Sequence, residues 1–167
     1  MSSSRFPADS VWTKIESPVG ELYLVASDAG LHAVVWENER QWARISRRMV
    51  EEPGHSILKK AVQQLREYFS GKRVEFDLPL EPVGTPFQQA AWMQLRKIPY
   101  GKTISYAEQA KQLGDIKKAR AVGTANSKNP LSIIVPCHRV IASSGALSGF
   151  GGGISNKRYL LKLEQTR

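Results

Sequence analysis

Ile134-Val135-Pro136-Cys137-His138-Arg139-Val140 holds the chain's single cysteine, directly before a histidine and at the end of an apolar run that begins at Ile133. A thiol is a strong nucleophile only as thiolate, and a neighbouring imidazole is a common means of forming one near neutral pH. The competing reading is structural, because free cysteine is among the most buried residue types. Pro136 cannot donate a ladder hydrogen bond, so a strand over Ile133–Val135 is expected to end there and present Cys137 at its tip. Side chains adjacent on an extended segment face opposite ways, so a Cys137–His138 contact requires a local turn or a bridging water. A third group would orient the imidazole, and Glu164 is the only carboxylate that follows the cysteine.

Upstream lie two helix-start signals. Thr85-Pro86-Phe87-Gln88 joins an N-cap, proline at the first helical position and glutamine at N3. That helix is expected to run to about Arg96 and to bury Phe87, Ala91 and Leu95 or near neighbours. Ser105-Tyr106-Ala107-Glu108 is a second capping box, and its helix should end at Gly114. Asp115 then caps a third helix through Lys117, Lys118, Ala119, Arg120, Ala121, Val122 and Gly123. Two short helices separated by a glycine and a cap describe a helix-turn-helix. The small residues Ala119, Ala121, Gly123 and Ala125 would let a backbone approach a groove, and Lys117, Lys118 and Arg120 would meet phosphates. An ordinary helical hairpin with solvated lysines fits the same pattern. Residues 126–153 are rich in turn formers, and the Gly149–Gly153 segment could close over the cysteine as a pocket wall. A terminal helix, capped by Ser155 or Asn156, should turn Tyr159, Leu160, Leu161 and Leu163 inward and carry Glu164 near its end.

The N-terminal half reads differently. Val11–Ile15, Leu22–Ala26 and Leu31–Trp36 form a β-meander, joined at Ser17-Pro18-Val19-Gly20 and Asp28-Ala29-Gly30. Helical spacing follows at 38–49 and, more strongly, at Ile57–Phe69, with Gly71 as the stop. Pro79, Pro82 and Gly84 mark a boundary. The fold expected is α+β: an N-terminal antiparallel sheet lobe with helices over residues 1–84, and a mainly helical lobe over 85–167 carrying the helix-turn-helix and the cysteine.

The formal net charge is +9, and it is unevenly placed. Residues 1–84 hold 11 Lys and Arg against 12 Asp and Glu, whereas residues 85–167 hold 13 against 3. The excess belongs to the lobe with the thiol, which favours a polyanionic partner, nucleic acid before acidic membrane. No apolar stretch approaches the roughly 20 residues of a membrane span, and Met1-Ser2-Ser3-Ser4-Arg5 lacks a signal peptide's apolar segment. A cytoplasmic location is the expectation. One cysteine excludes an internal disulfide framework and a multi-cysteine zinc site.

Taken together, the heptapeptide around Cys137 resembles the active-site signature of the O6-alkylguanine-DNA alkyltransferases (methylated-DNA–protein-cysteine methyltransferases). Thr85-Pro86-Phe87-Gln88, Ile98-Pro99-Tyr100-Gly101, Ser105-Tyr106, Ala119-Arg120-Ala121-Val122-Gly123, Asn129-Pro130, Gly152-Gly153 and Lys157 through Glu164 follow that family's order and spacing. The resemblance covers residues 85–164, and the first half is similar to the family's more variable lobe. It implies a ribonuclease H-like N-terminal lobe and a winged-helix-like C-terminal one. It also implies a single-turnover DNA repair protein, a monomer on duplex DNA carrying alkylated guanine, with cooperative clustering along DNA and activity on O4-alkylthymine both left open. The damaged base would be flipped out through the minor groove. In that picture Cys137 takes the alkyl group irreversibly, His138 acts through a water and Glu164 orients the imidazole. Arg120 fills the space vacated in the duplex. Tyr106 crowds the phosphate and assists proton delivery, and Asn129 is the hinge between recognition helix and active site. Ala119, Lys117, Lys118, Thr124 and Lys128 would line the DNA, while Pro136, Val140, Phe150 and Gly151 shape the pocket, with the Cys137 and Val140 carbonyls reading the guanine amino group. No cofactor is implied, and no metal is expected, because the cysteines and histidines that some relatives use for zinc are missing.

One position departs from the pattern. Phe150 stands where the family usually has a tyrosine whose hydroxyl is thought to stabilise the departing oxygen, so slower transfer is expected, with the Gly151 N–H as a remaining donor. Three other readings stay open: an alkyltransferase-like binder that flips bases without repairing them, a helix-turn-helix transcription factor, and a cysteine hydrolase. The binders lack the acceptor cysteine that this chain has. Hydrolases usually place the base far from the nucleophile in sequence.

Overall fold

The β-branched and apolar segments after Ser10, broken by short turns, fold as a meander in the computed structural model, which describes residues 5–147 and 150–165. Strands β1 (Val11–Ser17), β2 (Gly20–Ser27) and β3 (Gly30–Val35) pair antiparallel. A two-residue strand, β4 (Val50–Glu51), joins the other edge parallel to β1, giving the order β3-β2-β1-β4. Gly30 is required by close approach: a Cβ there would lie 2.8 Å from the Pro79 carbonyl, where Leu31 N donates to Pro79 O.

Both faces of this sheet are covered, which is why β2 and β3 read as nearly continuous apolar runs rather than alternating ones. Helix α1 (Glu39–Ile45) is capped by Asn38, whose Oδ1 accepts from Gln41 N. It lays Trp42 flat on Tyr23, ring centres 4.4 Å apart, and edge-on to Trp12. Such a buried indole is worth about 3–5 kcal/mol against alanine. Helix α2 (Ser56–Phe69) presents Leu58, Ala61, Leu65 and Tyr68, all fully buried, and packs against β1, β2 and β3. The helix expected over 38–49 stops at Ile45. Met49 instead leads into β4, yet Ile45 and Met49 still pack on the Trp42 cluster.

Contacts divide the chain into Met1–Val83 and Gly84–Arg167. The second unit opens with α3 (Pro86–Leu95), whose capping box is fully formed: Gln88 N donates to Thr85 Oγ1 and Thr85 N to Gln88 Oε1. Next come β5 (Ile104–Ser105), α4 (Tyr106–Gln112), a 3-10 turn (Ile116–Lys118), α5 (Ala119–Ser127) and a second 3-10 turn (Cys137–Arg139). Strand β6 (Val140–Ile141) pairs parallel with β5, and α6 (Ile154–Gln165) ends the described chain. Among the described residues no helix is long and apolar enough to cross a membrane.

Several sequence expectations need correction here. Phe87 is only half-buried, and Trp92 fills the core in its place because its Nε1 donates to Ala125 O (2.8 Å), tying α3 to α5. Asp115 caps the 3-10 turn rather than an α-helix, so the third helix is split and α5 begins at Ala119. Residues 133–135 are not a strand, since Val135 N turns back to Leu131 O. Helix α6 starts at Ile154, which leaves Ser155 and Asn156 within its first turn, and Tyr159 is 38% exposed. The buried face of α6 is Lys157, Leu160 and Glu164. Leu161 and Leu163 are only half-buried. Gly149, expected to open the pocket wall, lies outside the described residues.

Candidate functional site

The cysteine is displayed by a wound segment that one side chain organises. Asn129 Oδ1 accepts from Leu131 N (2.9 Å), and its Nδ2 donates to Val135 O (2.8 Å). Its amide also hydrogen-bonds the Cys137 side chain. The curl forces Ile133 to φ +75°, a left-handed conformation that a β-branched residue adopts only under strain, at a cost of about 1–3 kcal/mol. Arg139 N then donates to Pro136 O, and Val140 N to Cys137 O, closing the 3-10 turn that carries the nucleophile. This turn replaces the expected strand tip, and it leaves Cys137 8% exposed. Burial pushes the thiol's pKa up, against the pull of Asn129 and of the Lys157 ammonium. Burial is the largest of these effects.

His138 is fully buried, and its Nε2 lies 2.7 Å from Glu164 Oε2. An ionised carboxylate only accepts, so Nε2 carries the proton and Nδ1 keeps its lone pair. Nδ1 has no hydrogen-bond partner among the described residues. Burial lowers the imidazole's pKa more than Glu164 raises it. Burial alone would raise Glu164, but the hydrogen bond from His138 and the hydrogen bonds and charge of Arg139 hold it at about 2. A neutral imidazole with a bare nitrogen is a general base in waiting.

Lys157 was given no role by sequence reasoning, yet it is 1% exposed. Its Nζ donates to Val140 O (2.8 Å) and lies 5.9 Å from the centre of the Tyr106 ring. Burial lowers its pKa and the Cys137 charge raises it. The Val140 carbonyl thus already accepts one bond, leaving one lone pair for any ligand. Arg139, also unassigned, binds Glu164 through two nitrogens. The signal for Lys157 was its spacing: Lys157, Leu160 and Glu164 fall on one helical face.

The helix pair stands on the same turn. Gln109 and Asn126 exchange two buried amide hydrogen bonds, at 2.8 and 3.1 Å, which lock α4 to α5. Val122 and Ala125 face inward, while Arg120, Ala121, Thr124 and Lys128 are exposed and Ala119 is half-buried. Lys117 and Lys118 flank them, with the Lys118 ammonium over the Phe87 ring at 5.6 Å. A groove lined by Thr85, Phe87, Lys117, Lys118, Arg120 and Thr124 runs beside α5. Tyr106 opens α4 and packs beside Gly123.

Residues 86–166 match the family model described as 6-O-methylguanine DNA methyltransferase, DNA binding domain. Residues 10–82 match 6-O-methylguanine DNA methyltransferase, ribonuclease-like domain. The chain belongs to this family. It is 47% identical over 157 residues to a methylated-DNA–protein-cysteine methyltransferase of Mycobacterium tuberculosis, covering 92% of this chain and 91% of that one. It is 43% identical over 149 residues to the protein of that name from Methanosarcina acetivorans, covering 89% and 94%. Among solved structures, the M. tuberculosis O6-methylguanine methyltransferase superposes with a TM-score of 0.85 at 45% identity, covering 95% and 94%. A crystal structure of M. tuberculosis OGT in complex with DNA gives a TM-score of 0.85 at 45% identity, covering 93% of each chain.

Within this family framework the structure gathers Asn129, Pro136, Cys137, His138, Val140 and Glu164 around one turn. It sets Arg120, Thr124, Lys117, Lys118 and Lys128 on and beside α5, and Lys157 links Tyr106 to the cysteine turn. Phe150 is half-buried in the turn before α6, where Gly153 N donates to its carbonyl, and Gly151 is exposed.

Proposed function

We propose that the chain removes alkyl groups from the O6 position of guanine in duplex DNA and keeps them on Cys137, once per molecule. The observation that carries this reading is a buried cysteine followed by a buried His138 whose Nε2 is held by Glu164 (2.7 Å) and whose Nδ1 has no partner among the described residues. Sulfur attacks the alkyl carbon, the S–C bond forms and the C–O6 bond breaks. The thiol proton leaves through His138 Nδ1 or a bridging water, and an equivalent proton reaches the departing base, so charge balances. A proton on the leaving purine is what makes it a good leaving group, and Tyr106 is suited to supply one. The thioether has no comparable leaving group, so the protein is consumed.

Docking rests on the basic unit: exposed Arg120 on α5, with Lys117, Lys118, Thr124 and Lys128 toward phosphates and Ala119 toward the minor groove. Arg120 enters the stack as the damaged nucleotide swings out, toward a pocket bounded by Pro136, Val140, Phe150 and Gly151. Residues 1–84 serve as scaffold to the domain over 85–167, and the protein acts as a monomer in the cytoplasm, where a free thiol persists. The test is intact mass after incubation with O6-benzylguanine. One benzyl group on Cys137 is expected, with none on Cys137→Ser. Tight DNA binding without an adduct would overturn the reading in favour of a base-flipping binder. The same measurement on oligonucleotides with O6-methylguanine or O4-methylthymine sets the substrate range.

A further inference from the structure

The Ile98-Pro99-Tyr100-Gly101 turn and Arg139 take no part in the chemistry above, yet they converge on its carboxylate. Arg139 Nε donates to Glu164 Oε1 (2.8 Å), one Nη to Oε2 (3.0 Å), and the other Nη to Ile98 O (2.7 Å). The guanidinium lies 5.6 Å from the centre of the Tyr100 ring. Gly101, at φ +81°, brings the turn against α6: a Cβ there would lie 3.3 Å from Glu164 O, and Gln165 Nε2 donates to Gly101 O. Arg139 is 6% exposed and Glu164 3%. The fork is planar, bidentate and held in a third direction by a backbone carbonyl, a geometry that lysine cannot reproduce.

We propose that Arg139, anchored by this turn, is a positioning residue for alkyl transfer: by engaging both oxygens of Glu164 it keeps His138 neutral, with the Nδ1 lone pair available as base. A buried carboxylate beside an imidazole, with no other cation, draws a proton onto the ring and becomes a neutral ion pair. With Arg139 in place the carboxylate is already neutralised, and an imidazolium would leave a surplus buried cation. Among the described residues, the charged groups acting on the ring are Glu164, Arg139 and Lys157, with Cys137 next to it in the chain, Tyr100 against the Arg139 guanidinium and Tyr106 against the Lys157 ammonium. Lys157 adds to the same effect.

The consequence for rate rests on the alkyltransferase reading, whereas the ring's protonation state does not, so the two are read separately. The first measurement is the rate of benzyl transfer between pH 5.5 and 9.5 for the wild type, Arg139→Lys, Arg139→Met and the double variant Arg139→Met/Glu164→Gln. Arg139→Met should move the acid limb upward by about one pH unit or more, a tenfold or greater extra loss at the acid end. Arg139→Lys should slow transfer while leaving the limb in place, and the double variant should return the limb toward the wild type. Equal loss at every pH, or a limb that the double variant leaves displaced, would overturn the proposal. If Arg139→Met does not fold, the lysine and double variants still decide. The second measurement is an NMR titration of the His138 ring without substrate. A ring neutral at pH 6 in the wild type and protonated there once the guanidinium is gone supports the clamp even if no benzyl group is transferred. A ring already protonated in the wild type would sink it.

Discussion

Replacing Asn129 with alanine tests how the cysteine turn is held. The change deletes two buried hydrogen bonds to the backbone and orphans Leu131 N, whereas Val135 O still accepts from Cys137 N. A buried backbone group left unpaired costs about 1–3 kcal/mol, and the lost bond to Val135 O adds about 1 kcal/mol, so the change predicts a loss of about 2–4 kcal/mol. Release of the Ile133 strain, about 1–3 kcal/mol, offsets part of it if the turn uncurls, which puts the expected net loss at about 2 kcal/mol. Urea unfolding should show the midpoint falling by that amount. Uncurling should also expose Cys137, now 8% accessible, so a thiol reagent such as DTNB should label the folded variant much faster than the wild type. Asn129→Asp sharpens the test. It keeps the acceptor for Leu131 N but sets a carboxylate oxygen against Val135 O, so it should be at least as unstable at pH 7. It should recover as pH falls and the protonated acid donates to that carbonyl. A loss under about 1 kcal/mol for Asn129→Ala, with labelling unchanged, would refute the view that this amide holds the strained turn.

Phe150→Tyr restores a hydroxyl near the departing oxygen. A neutral hydrogen bond adds about 1 kcal/mol, so benzyl transfer should quicken about fivefold, and an unchanged rate would show that the ring alone matters. Arg120→Ala should slow repair of duplex DNA at least tenfold while leaving transfer from free benzylguanine nearly intact; equal losses would mean that Arg120 does not act within the duplex. Glu164 titrates at about 2 in the folded chain against an ordinary value of 4.5. A depressed carboxylate contributes stability above its unfolded value, and that contribution drains away as pH falls from about 4.5 toward 2. The difference amounts to about 3 kcal/mol, so unfolding between pH 5 and 2 should be steeper in the wild type than in Glu164→Gln, and parallel curves would contradict the assignment.

What the sequence made legible follows from how local each signal is. The capping boxes at Thr85 and Ser105 work within four residues, and both helices start where the boxes place them. The β-meander was readable for the same reason, because its turns are short and its strands neighbours. The cysteine segment misled because Ile133, Ile134 and Val135 carry strong strand preference, which Asn129 overrides from outside the run. Lys157 and Arg139 escaped notice because charged residues are normally solvated; only partners 17 and 25 residues away, Val140 and Glu164, make their burial tolerable. Apolar spacing in α6 points to Tyr159, Leu160, Leu161 and Leu163, whereas the buried face joins Leu160 to the charged Lys157 and Glu164.

Four residues join the two halves of this chemistry. Asn126 ends α5 with its amide locked to Gln109 of α4, and Asn129 N donates to Asn126 O. One turn further on, the Asn129 side chain grips Val135 O and the thiol. Helix orientation and sulfur position therefore share a single short lever whose ends are both buried amides. A neutral amide bond contributes only about 1 kcal/mol, comparable to the Ile133 strain it opposes, so the lever is held with little to spare.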